Sequence, residues 1–97
     1  MTKQESFQKF EEWRLQRDEF ARNTVEIWNN TSISKDDKWK MISNGYKQLI
    51  NSMLETLEIC SGDEFICYML RNQSFGTFRW VGEYTGSNNF ITDPTYS

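Results

Sequence analysis

The 97-residue chain has one proline, Pro94, so every residue before it carries a backbone N–H. Helices can therefore run far along this chain without the break that a proline ring imposes. The first predicted helix covers about residues 6–28. Phe7, Phe10, Trp13, Phe20, Thr24 and Ile27 recur at separations of three, four or seven, with Trp28 beside the last, and keep to one side of a 3.6-residue period. At about 1.5 Å per residue this helix is roughly 35 Å long. That exceeds the width of a compact domain of this size, so a partner chain is expected to cover part of the stripe.

A second helix is predicted over about residues 35–60. Ser34 and Asp37 form a loose capping box, and Asp36 and Asp37 lie at the positive end of the helix. Trp39, Ile42, Tyr46, Leu49, Ile50, Met53, Leu54 and Leu57 make its apolar stripe, and Gly62 is a natural stop. Gly45 inside the stripe costs up to about 1 kcal/mol relative to alanine. It either admits the first helix closely or has no packing role. The short connection over residues 29–33 predicts that the two helices pack antiparallel as a hairpin.

After Gly62 the composition changes. Residues 60–97 hold two cations, Arg71 and Arg79, but eight of the fifteen aromatics and four of the five glycines. Between Thr77 and Tyr84 the pattern alternates, with Phe78, Trp80 and Tyr84 on one face and Arg79, Val81 and Glu83 on the other. That alternation predicts a strand, followed by a turn at residues 85–89 and a returning strand at Phe90-Ile91-Thr92. Residues 64–70 fit two patterns. Their apolar run suits a buried strand, whereas Ser61 with Glu64 is a capping box and Phe65, Ile66, Met69 and Leu70 share a helical face. The strand is preferred, because a two-stranded hairpin alone is marginal and a third strand supports it. The expected fold is a single α+β domain over residues 1–97: an antiparallel two-helix hairpin, a small antiparallel β-sheet over about 64–92, and a flexible tail at 93–97. The alternative is a mostly α domain with a C-terminal β-hairpin.

The missing residue types narrow the chemistry. The chain has no histidine, the usual acid–base group near neutral pH and the commonest metal ligand. Imidazole-dependent triads are excluded, and Cys60 and Cys67 alone cannot complete a structural zinc site. The two cysteines read as small buried apolar residues in a reducing compartment, or as a disulfide if residues 61–66 turn tightly. No catalytic residue, metal or cofactor is expected. No run of 18 apolar residues spans a membrane and no apolar leader opens the chain, so the expected location is the cytoplasm.

Four constellations carry candidate functions. Glu5, Glu12, Glu19 and Glu26 recur every seven residues and could mimic DNA phosphates. However, Lys3, Lys9, Arg14, Arg17 and Arg22 nearly balance that helix, and Glu5–Lys9 and Asp18–Arg22 suit ordinary i,i+4 pairing. The rings of Phe78, Trp80 and Tyr84 could stack on unpaired bases, but such platforms need a basic surround. The chain instead carries a net charge of −3, so direct nucleic-acid binding is not expected. Asp63-Glu64 and Glu83 could meet across neighbouring strands as an acid–base pair, although nothing in their spacing demands it. The polar tail could dock on a partner. The leading expectation is a non-enzymatic inhibitor or adaptor, of the kind carried by phages and mobile elements, that occupies a surface of another protein. Trp80, Tyr84, Phe90 and Asp93 are its partner-binding candidates, and the helical stripes offer a route to a homodimer. The alternative is a small-ligand or nucleotide-binding module at the helix–sheet junction.

Overall fold

A computed structural model describes residues 1–86, and they form three helices: α1 (Lys3–Asn29), α2 (Lys35–Ile59) and α3 (Glu64–Thr85). The described residues contain no strand, so neither the α+β domain nor the mostly α domain with a β-hairpin is the fold. The protein is an all-α bundle measuring 47 × 24 × 17 Å.

Each helix starts where a side chain satisfies orphan backbone donors. Thr2 and Glu5 close a reciprocal capping box at α1, Ser34 accepts from the Asp37 N–H at α2, and Asp63 accepts from the Ile66 N–H at α3. The end of α1 lacks a basic residue of its own. Lys38 of α2 supplies one, donating to the Trp28 carbonyl at 2.9 Å while its ammonium lies 5.6 Å from the Trp28 ring centre. Gly86 ends α3 at φ 64°, a left-handed conformation that costs glycine nothing.

Contacts along the helices set their directions. Trp28 meets Trp39, Phe20 meets Tyr46, the Trp13 indole donates to the Leu49 carbonyl, and the Cys60 thiol to the Ser6 carbonyl. As α1 numbers fall α2 numbers rise, so the pair is antiparallel, as the short connection predicts. Tyr46 then faces Phe78 and the Cys67 thiol donates to the Cys60 carbonyl, which turns α3 back along α2. Arg17 bonds Gln73 and Asn29 bonds Tyr84, so α3 runs parallel to α1. Trp13, Tyr46, Ile42, Leu70 and Val81 are almost completely buried where the three helices meet. At Gly45 the Phe20 ring comes so close that an added Cβ would lie 3.3 Å from it. The close-approach reading of that glycine is the right one.

The strand reading of residues 64–84 fails for a specific reason. The buried positions of α3 are Ile66, Cys67, Leu70, Ser74, Thr77, Phe78, Val81 and Thr85, a helical three-and-four repeat. Three of them carry hydroxyls, so the apolar stripe is interrupted in the sequence. Two of those hydroxyls return to the helix itself: Thr77 Oγ1 donates to Gln73 O at 2.8 Å and Thr85 Oγ1 to Val81 O at 2.7 Å. The alternation of Phe78, Trp80 and Tyr84 does not correspond to a buried face. Residue 85, placed in a turn by the sequence, is the last of the helix.

Candidate protein-interaction surface

Helix α3 is apolar on two sides. Opposite its buried face, Phe65, Tyr68, Asn72, Phe75 and Arg79 follow each other at spacings of three and four and form one outward stripe. Phe65 is 68%, Tyr68 62% and Phe75 52% exposed. The Arg79 guanidinium carbon sits 5.6 Å from the Phe75 ring centre, a cation–π placement that orients both side chains outward. Exposed Glu64 and Arg71 flank the stripe, and neither forms an ion pair among the described residues. At the N-terminal end of α3 the apolar surface continues, because Phe65 lines a hollow with exposed Met1 and Ile59.

Of the sequence candidates, Trp80 and Tyr84 do not lie on this stripe and sit on the side of α3 toward α1. Trp80 is half-buried against the core, and its ring stacks on Tyr84 with centres 5.3 Å apart. The Tyr84 hydroxyl accepts from Asn29 Nδ2 at 3.3 Å, tying the end of α3 to the end of α1. Trp80 and Tyr84 are therefore neighbours, one helical turn apart. Phe90 and Asp93 lie outside the described residues, as do the returning strand and the tail. Sequence reasoning misses Phe65, Tyr68 and Phe75 as contact residues. Their signal lies in the apolar run at 65–70 and in the continuing three-and-four spacing, which mark a two-sided helix, although its N-cap is Asp63 and not Ser61.

Other candidate chemistry does not assemble. Asp63 and Glu64 open α3 and Glu83 nears its other end, roughly 28 Å along one helix. The carboxylate pair across neighbouring strands therefore does not exist, and neither does a helix–sheet junction for a ligand. No group of three or more metal-ligating side chains gathers among the described residues. Cys60 and Cys67 are free and buried. Burial pushes the Cys60 thiol above its ordinary value, against the lowering effect of its bond to Ser6. Glu5 is held low chiefly by the Thr2 backbone N–H. On α1, Glu5, Glu12, Glu19 and Glu26 are all exposed. The ion pairs that form there are Lys9–Glu12, Arg14–Glu11 and Arg17–Asp18, rather than Glu5–Lys9 and Asp18–Arg22. A cleft of about 300 Å³ opens between α1 and α2 over Gly45, bounded by Gln16, Asn23, Met41 and Gln48. No helix among the described residues is long and apolar enough to cross a membrane.

No protein-family model, curated protein or solved structure matches the chain.

Proposed function

We propose that the protein is a non-enzymatic interaction factor, an inhibitor or adaptor, that acts by occupying a surface of another protein with the outer face of α3. One observation carries the reading: three aromatic rings, each more than half exposed, are aligned on a single helix face with an arginine. Scattered exposed hydrophobics are ordinary, but an aligned group of rings is an apolar patch of the kind that marks contact sites. Aromatic residues and arginine also dominate the energetics of protein interfaces. The stacked Trp80–Tyr84 pair lies on another side of α3, toward α1, and is not part of this patch. We place the protein in the cytoplasm, where the two free thiols would stay reduced.

Capture from a lysate with immobilised protein tests this reading when variants are compared. The wild type should retain one stoichiometric protein, and Phe65→Ser/Phe75→Ser should lose it while melting within a few degrees of wild type. Glu12→Gln/Glu19→Gln, altered on the acidic row of α1, should keep it. Retention by the aromatic variant, or a turnover reaction from the purified chain, would overturn the proposal.

A further inference from the structure

The outer face of α3 is nearly self-complementary when read backwards. Arg71 and Asn72 mark its midpoint; Tyr68 and Phe75 lie equally far on either side of it, and so do Glu64 and Arg79. A two-fold interface requires this relation, because residue i of one copy meets residue j of the other and j meets i. We infer that the free protein pairs with a second copy of itself, α3 against α3 in antiparallel orientation, through Phe65, Tyr68, Asn72, Phe75 and Arg79.

In this arrangement each Tyr68 ring packs on Phe75 of the second copy. Phe65 comes within one residue of the register of the second copy's Arg79, which already lies over a ring within its own helix. The acidic end of the stripe, at Glu64, meets the basic end at Arg79. A parallel pair would instead set Arg79, near the middle of the stripe, against Arg79 of the second copy, like charges whose juxtaposition is unfavourable. The three-and-four spacing is that of a two-helix seam, in which central positions interlock.

The area is adequate. Three aromatics of about 150–250 Å² each, a little over half exposed, bring roughly 600–900 Å² from two copies. With the stems of Glu64, Arg71 and Arg79 and the Asn72 amide, the total passes the ~1,000 Å² expected of a specific interface. Of the apolar stripes of α1 and α2, which the sequence offered for self-association, Trp13, Phe20, Ile42, Tyr46 and Leu49 face one another inside the bundle, while Phe7 and Leu54 stay exposed as single residues.

This inference extends the proposed function by naming the occupant of the same face in the free protein. Size-exclusion chromatography with light scattering tests it on four full-length chains. The wild type should elute at twice the 11.6 kDa chain mass. Tyr68→Lys and Phe75→Glu, each at an exposed position, should be monomers. The double variant Tyr68→Lys/Phe75→Glu should recover the dimer, because only an antiparallel register brings each introduced cation to an introduced anion. A monomeric wild type, unaffected single variants, or a double variant that stays monomeric would each overturn the inference. A monomeric wild type that still captures a partner, and loses it in Phe75→Glu, would leave the functional proposal standing while removing the dimer. A dimer with the expected variant behaviour and no captured partner would do the reverse.

Discussion

Cys60 is 1% exposed where α2 ends, and its thiol donates to the Ser6 carbonyl at 3.8 Å. Water is excluded, so the thiolate is disfavoured and the proton is held above the ordinary value of 9.0. The sign of the linkage follows. The folded state keeps a proton that the unfolded chain releases, so the contribution is fully present below the ordinary thiol value and is lost as pH rises beyond it. Melts across the alkaline range should show wild-type stability falling above about pH 9. The fall should be shallower in Cys60→Ala; equal slopes would contradict a buried, protonated thiol. Thr77 and Thr85 are a different case. Their hydroxyls bond carbonyls one turn back, which lets polar residues occupy core positions. Polarity scales score such residues as exposed, and this hid the buried stripe of α3 from the sequence.

Helices α1 and α2 were legible because their apolar stripes are made of large, unambiguous side chains and, at α2, because Ser34 and the acidic first turn mark its start. Sequence reasoning misses the Thr2–Glu5 box that opens α1. The predicted bounds of about 6–28 and 35–60 lie close to the observed Lys3–Asn29 and Lys35–Ile59. Helix α3 misled for two reasons. Aromatics on its outer face merge with the buried stripe into an apolar run that resembles a strand, and its glycines resemble turn signals. Gly76 sits inside the helix, and a Cβ added there would meet nothing within 4 Å, so it serves no close approach. Gly76→Ala should therefore stabilise the protein by up to about 1 kcal/mol. In a domain of this size that is a rise of roughly 4–8 °C in melting temperature. A fall would indicate that residue 76 is not helical.

The whole molecule is elongated, with a 47 Å long axis along which α1 fits. Helix α2 lies along α1 from Trp28–Trp39 to Ser6–Cys60, and α3 covers the remaining side of their core. The surface that presents aligned rings is the outer face of α3, away from Trp80 and Tyr84, to which the sequence pointed. The chain has no histidine, its two thiols are free and buried, and no metal-ligating side chains cluster among the described residues. Its aromatic content is divided between a core and an outer helix face. Chemical-shift mapping by NMR examines that division directly, comparing the isotope-labelled protein dilute, concentrated, and mixed with its captured partner. The largest changes should fall on Phe65, Tyr68, Asn72, Phe75 and Arg79. Changes confined to the α1–α2 cleft or to the row of Glu5, Glu12, Glu19 and Glu26, with α3 silent, would contradict an outer α3 face that works by contact.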